Sequence, residues 1–259
     1  MAIGWLDIDK NRYYFQKDGI PAHGVTVIDG KSYLFANDTG ILQRGKTVNG
    51  ITTDSNGVIT KRQLSVKYIS QSGFPTGCES ASAVMLLQNA GYNVSVADFV
   101  DKYLDKSSHF YNENGKRYGP DPYKVFVGSP RSTASYGCMA PVIENAVKKI
   151  VGSSMTVENK TGYTLPMLCK DYIDKGIPCV VWVSIGMLAT YKSASWTLED
   201  GSTYYFPANE HCMVLIGYSD THYYFSDPYR GAHVKYSRSI SEKRYEELGR
   251  QALVFTPLS

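Results

Sequence analysis

Several strong signals are missing from this sequence. Its 27 Lys and Arg nearly balance 24 Asp and Glu, leaving a net charge of +3 with no basic cluster. Charge this mild gives no electrostatic footprint for nucleic acid. No apolar run approaches the ~20 residues that a membrane span needs. The amino terminus, MAIGWLDID, has neither a basic start nor an apolar stretch, so it does not read as a signal peptide. The chain is then either cytoplasmic or the remainder after a leader is removed. Cysteine is scarce: Cys78, Cys138, Cys169, Cys179 and Cys212 are the five present, an odd number that cannot all pair within the chain. No two stand at Cys-x-x-Cys spacing, so a zinc knuckle or a dithiol redox site is not suggested, and no His-x-x-x-His pair offers metal catalysis its ligands. No metal or cofactor is therefore expected. Hydrophobic residues are not scarce: at 43% they suffice for an ordinary core, and 259 residues allow one large domain, or one domain plus a small appendage. Tyrosine is heavily used, with 21 copies, many in pairs.

The first sixty residues repeat. Gly4-Trp5 opens a segment that contains Tyr13-Tyr14-Phe15 and then Asp18-Gly19. Gly24-Val25 opens a second, with Tyr33-Leu34-Phe35 and Asp38-Thr39-Gly40, and Gly45 opens a fainter third with Asn49-Gly50 and Asn56-Gly57. Aromatic alternation flanked by Asp-Gly, Asn-Gly or Thr-Gly is the signal of a β-hairpin, and a period of about 20 residues means stacked small units. A lone hairpin is marginal, so neighbours must stack to bury the aromatics. These repeats resemble the cell-wall-binding repeats of Gram-positive surface proteins. The resemblance implies hairpins that bind choline, glucans or wall polymers. Trp5, Tyr13 and Tyr14 are the side chains expected to stack on sugar rings, whose apolar face matches a flat aromatic. The alternative is that these rings are buried between hairpins.

The remainder reads as helices first and strands later. The run after Cys78 is small and apolar and predicts a helix ending at Gly91. Ser95-Val96-Ala97-Asp98 has the form of a capping box that opens a second helix. Residues 105–137 are polar and rich in Gly, Pro and Tyr, which predicts a long surface loop. Pro141 to Val151 and Thr164 to Lys175 carry apolar stripes at helical spacing. Strand candidates follow at Cys179–Val183, His211–Gly217, Tyr223–Phe225, Ala232–Tyr236 and Ala252–Phe255. This order predicts an α+β fold with the two parts packed together.

The chemistry gathers around Cys78. A cysteine at a helix N-terminus gains thiolate character from the helix dipole. Gln71, seven residues upstream, offers an amide to an oxyanion beside the backbone N–H of Cys78. Among five histidines, His211 stands out because it opens an apolar strand and is placed at a sheet edge facing a cleft. The returning strand ends in Ser226-Asp227-Pro228 and brings Asp227 beside His211. Cys, His and Asp then follow the papain-like order and separation. Cys138 also precedes a helix but lacks an upstream Gln, so it is read as a packing or cleft-wall residue. Cys212, next to His211 on a strand, points to the opposite face.

PTGCESAS, the YGCMAP segment and HCMVLIGY with YYFSDPYRG resemble bacterial members of the papain superfamily related to bacteriocin-processing (double-glycine) cysteine peptidases. The resemblance spans roughly Leu64 to Phe255. It implies a papain-like fold, with catalytic roles for Cys78, His211 and Asp227 and an oxyanion role for Gln71. Residues 1–62 are then hairpin repeats and 63–259 a peptidase domain. The function expected is a thiol hydrolase that cuts peptide or isopeptide bonds at the bacterial surface, extracellular or wall-associated. Its partners would be a peptide or protein substrate and cell-wall polysaccharide, with no nucleic acid and no membrane span. The rival readings are a non-catalytic wall-binding protein with a decayed peptidase domain and an acyl transferase of transpeptidase type.

Overall fold

The computed structural model describes residues 2–258, and they gather into two units: residues 2–65 with 217–220, and residues 66–216 with 221–258. The first unit is built from hairpins. Strands β1 (Gly4–Ile8) and β2 (Asn11–Phe15) pair, as do β3 (Gly24–Ile28) and β4 (Lys31–Phe35), and then β5 (Thr47–Val48) and β6 (Ile51–Thr53). Each repeat opens on a glycine with positive φ, at Gly4, Gly24 and Gly45. The hairpin turns are Asp9-Lys10, Asp29-Gly30 and Asn49-Gly50, all with φ > 0 at both positions, as two-residue hairpins require. Asp18-Gly19 and Thr39-Gly40 instead shape the segments after each hairpin.

Those segments stitch the repeats together. Ala22 N–H donates to Tyr14 C=O at 2.7 Å, and Leu42 N–H donates to Arg12 C=O at 2.8 Å. Ala22, Ile28, Phe35 and Leu42 form a small core, with Trp5, Tyr14 and Tyr33 packed on it. A further strand, β7 (Ile59–Gln63), pairs with β6 and also with Gly217–Ser219.

The second unit is mixed α and β. Helix α1 (Cys78–Asn89) is buried over Cys78 to Leu87. Its small Ser80, Ala81, Ser82 and Ala83 allow close approach, and it packs on the strand Cys179–Ser184 and on α3 (Ala140–Val151). Between them, Ser95 caps the short α2 (Val96–Asp98), its Oγ accepting from Asp98 N–H at 3.0 Å, and a π-helical turn covers Phe99–Tyr103. The stretch 105–137 is not a plain surface loop. It carries β8 (Lys106–Ser107), β9 (Tyr111–Glu113), β10 (Lys116–Tyr118) and β11 (Phe126–Val127), and Phe126 and Val127 are fully buried. These strands of two or three residues are too short to show a period; β9 pairs with β10 and β8 with β11, while β10 also pairs with the strand Tyr191–Thr197 far along the chain.

After α3 come β12 (Met155–Asn159), α4 (Leu165–Asp171) with Thr164 as its cap, and β13 (Cys179–Ser184). The predicted helix to Lys175 breaks at Tyr172 and resumes as one 3₁₀ turn, Ile173–Lys175. Strands β14 (Tyr191–Thr197) and β15 (Thr203–Ala208) join β9 and β10 in a four-stranded sheet that buries Trp196 and Phe206. The main sheet of the unit runs β12-β19-β13-β16, where β16 is Glu210–Ser219 and β19 is Ala252–Pro257. All its registered pairs are antiparallel. Strands β17 (His222–Asp227) and β18 (Gly231–Ser237) form a hairpin that continues from β16. Every residue of β13 is buried, so helices cover both of its faces. Helix α5 (Arg238–Glu247) packs on β13 but shows little apolar periodicity, because only Ser241, Arg244 and Tyr245 are buried. No helix among the described residues is long and apolar enough to cross a membrane.

Candidate active site

Hairpin geometry brings the first two site residues together. His211 stands near the start of β16, opposite Val183 of β13. The chain turns after Ser219 and returns as β17, which delivers Asp227 at its end. His211 Nε2 and Asp227 Oδ1 are 2.8 Å apart, with both side chains buried. β16 is an inner strand, so the expectation of a histidine at a sheet edge is corrected: His211 is only 2% exposed. Asp227 Oδ1 also accepts the backbone N–H of Tyr229 at 2.8 Å, while Oδ2 is buried without a hydrogen bond. Burial pushes the Asp227 carboxyl up. The His211 hydrogen bond and charge, helped by the N–H groups of Tyr229 and Arg230, outweigh it and hold the carboxyl below its ordinary range. The Tyr229 ring stands edge-on to His211 at 6.4 Å. With Nε2 engaged by Asp227, Nδ1 is the nitrogen left to face a nucleophile.

Gln71 lies in the turn ahead of α1. Its backbone N–H donates to Pro228 C=O at 3.0 Å, which ties this turn to the residue after Asp227. Its Nε2 donates to the carbonyls of Phe74 and Pro75 at 3.3 and 3.2 Å, and its Oε1 is buried without a partner. The donors expected to face an oxyanion are thus engaged within the turn.

Cys78 is the first residue of α1, as its sequence position requires. Its Sγ, however, donates to Glu79 Oε2 at 3.3 Å, and no hydrogen bond joins it to His211 among the described residues. The expected low thiol pKa is also corrected. Burial pushes the Cys78 thiol well up, and the neighbouring Glu79, Glu210 and Cys212 push it further, against a lowering contact from the Cys212 backbone. The helix dipole, worth about 1 kcal/mol at an ordinary terminus, loses to desolvation next to two carboxyls.

Glu79 and Glu210 were not singled out in the sequence. Glu79 follows the cysteine directly, and Glu210 precedes the histidine. Glu210 and Cys212 flank His211 on β16, and the Cys78 thiol lies near both. The thiol and one oxygen of each carboxyl lie within 4.8 Å of one another. Glu79 Oε1 accepts the Cys138 backbone N–H at 2.8 Å, and Glu210 Oε1 is buried with no partner. Burial lifts the Glu79 carboxyl to about 7 and Glu210 well above its ordinary value. Cys138 is a buried free thiol whose backbone serves Glu79, and its C=O accepts from Trp182 Nε1 at 2.9 Å.

In the first unit, Trp5 packs edge-on against Tyr14 at 5.2 Å and Tyr33 at 5.0 Å, and the Arg12 guanidinium covers its ring at 5.0 Å. Tyr13 lies beside Phe15 at 6.3 Å. Trp5 and Tyr14 thus pack on the hairpin core, with Tyr13 one residue away along β2.

A papain-like α+β fold, a helix headed by cysteine and a buried His-Asp pair define the class. The chain belongs to the Peptidase_C39 like family, whose model matches residues 63–253, and residues 2–51 match the model of the Choline-binding repeat. An uncharacterized protein of Bacillus subtilis (strain 168), YvpB, is 28% identical over 185 residues, covering 69% of this chain and 68% of that protein. A crystal structure of a C39-like peptidase from Bacillus anthracis superimposes with a TM-score of 0.66 at 26% identity, covering 76% of this chain and 98% of the other. Toxin B of Clostridioides difficile is 51% identical over 39 residues, which is 15% of this chain and 2% of the toxin.

Proposed function

We propose that this protein is a thiol hydrolase that cleaves peptide or isopeptide bonds at the bacterial cell surface. The observation that carries the reading is the buried His211–Asp227 pair at 2.8 Å, in a C39-like peptidase domain whose first helix begins at Cys78. In the reaction, Cys78 Sγ leaves Glu79 and gives its proton to His211 Nδ1. The thiolate attacks the substrate carbonyl carbon. His211 then protonates the leaving amine, and water, deprotonated by the same imidazole, releases the acyl group. Asp227 holds the ring so that Nδ1 faces the thiol and stabilises the imidazolium that forms. The Cys78 N–H, free at the helix start, donates to the oxyanion, joined by Gln71 Nε2 once its amide turns from Phe74 and Pro75. The repeats of residues 1–62 hold the enzyme at the wall by binding its polysaccharide, as the match to choline-binding repeats supports.

A second reading has one observation in its favour. The Cys78 thiol is engaged by Glu79 and raised by burial, as in a wall-binding protein whose peptidase domain has fallen silent. Digestion of an unbiased peptide library by wild type and Cys78→Ala separates the two. Cleavage that the substitution abolishes, with an unchanged melting temperature, supports the hydrolase. Cleavage that survives removes Cys78 as nucleophile, and no cleavage by either protein supports the silent domain.

A further inference from the structure

Two carboxyls, Glu79 and Glu210, stand together in the interior, and among the described residues no cationic side chain is prominent in holding either one. Glu79 is fully buried and Glu210 is 9% exposed. Four other titratable groups face them: Cys78 from α1, Cys138 from the segment before α3, Cys212 from β16, and Tyr204 near Glu210. None of these is a base that would carry positive charge. Two adjacent carboxylates without a counter-ion cannot both ionise at ordinary cost, so one proton stays with the pair.

The backbone is shaped to hold this pair. Gly137 takes φ +134°, and a Cβ there would lie 2.7 Å from Glu79 Oε1 and 3.2 Å from Glu210 Oε2. Cys138, one residue on, gives its N–H to Glu79 Oε1. The remaining Glu79 oxygen, Oε2, takes the thiol of Cys78. Glu210 Oε1 has no partner, so no protein donor competes for it.

We infer that Glu79 and Glu210 share one proton and that this pair parks the Cys78 thiol in its protonated form, making Glu79 the positioning residue that governs release of the nucleophile to His211. The inference rests on the reading of Cys78 as nucleophile. The step is a proton transfer: the S–H···Oε2 contact breaks, the thiol proton passes to His211 Nδ1, and the pair keeps its own proton. Loss of the shared proton as pH rises adds negative charge beside the sulfur. That charge raises the thiol further and opposes thiolate formation, so Glu79 acts as a brake at high pH.

The test follows alkylation of Cys78 by iodoacetamide against pH, read by mass spectrometry of the peptide that contains it. Glu79→Gln keeps the shape and removes the charge. It should speed alkylation at pH 7.5 by at least about tenfold, the scale of one unit charge lost at short range. Glu210→Gln should let Glu79 ionise at lower pH and shift the inflection of the profile to the acid side. Carboxyl ¹³C resonances of wild type need no variant and should show both groups titrating above the ordinary glutamate value. Equal alkylation profiles in all three proteins, including no reaction in any, overturn the inference, as does ordinary titration of both carboxyls. None of these readouts uses turnover. If peptide cleavage survives Cys78→Ala, the hydrolase reading fails while the alkylation and carboxyl results still decide the proton-sharing pair.

Discussion

Single residues settle the chemistry of the site, and their environments pull in opposite directions. Asp227 is depressed in the fold, so its contribution to stability is present above the unfolded carboxyl value and is lost as pH falls through the lower folded one. Glu79 is raised from 4.5 to about 7. Between those values the unfolded chain has released the proton that the folded chain keeps. Stability from this group therefore falls as pH rises through that window, by on the order of 3 kcal/mol. Glu79→Gln should flatten the slope between pH 5 and 8 in urea melts, and parallel profiles for variant and wild type would sink the assignment. For catalysis, His211→Ala should lower kcat/KM by about 10²–10⁴-fold, the range of a positioned general base. Asp227→Ala should cost less, since an orienting group is partly replaceable. Steady-state rates that fall in the reverse order would mean that Asp227 does not orient the imidazole.

At the scale of elements, α1 and the segment entering α3 answer one question about the sequence: why a cysteine stands before a helix twice. The first, Cys78, heads α1 and supplies a thiol. The second segment supplies backbone, because Gly137 lets the chain pass close to two carboxyls and Cys138 N–H binds one of them. Gly137→Ala should cost about 2–3 kcal/mol, from both the unfavourable φ and the forced shift of Glu79. Gly152, at the end of α3, also has positive φ, but a Cβ there meets nothing within 4 Å. Its alanine variant should lose only about 1 kcal/mol. Chemical denaturation of the two variants checks this, and equal losses would show that the contact with Glu79 is not tight. The element that the hydrophobic pattern does not reveal is α5. Its buried face is made by Ser241, Arg244 and Tyr245, which carry no apolar stripe.

For the whole molecule, the question is what the repeats contribute. Gly217–Ser219 pair with Lys61–Gln63, so a cut at residue 62 or 63 strips that stretch of its strand partner. Removal of residues 1–44 spares β5, β6 and β7. This shorter deletion should leave cleavage of a soluble peptide and the melting temperature of the peptidase unchanged, while binding to isolated cell wall falls. Loss of soluble-peptide cleavage would contradict a tethering role. Trp5→Ala removes the ring that holds Tyr14 and Tyr33 together, so it should unfold the hairpins, at a cost of about 2–4 kcal/mol. Circular dichroism beside a wall pull-down distinguishes this from a ring that only contacts ligand. Unchanged dichroism with lost adhesion would place Trp5 at the ligand.

The linear sequence by itself determined the class of this protein. The 20-residue period of Gly4, Gly24 and Gly45, the start of α1 at Cys78 and the strand run from His211 are local signals, written in spacing and turn chemistry. The hairpin that returns Asp227 to His211 is local too, because a short turn leaves the chain few other paths. Tertiary structure alone decided the state of the Cys78 thiol. The Cys78 thiol meets Glu210 and Cys212 across gaps of 132 and 134 residues. No periodicity records which buried groups will face each other there, nor how strongly desolvation will act on them. The same holds for β10, whose Tyr118 pairs with Thr197. Its other neighbour, β9, is local, but only the packed fold supplies the distant one.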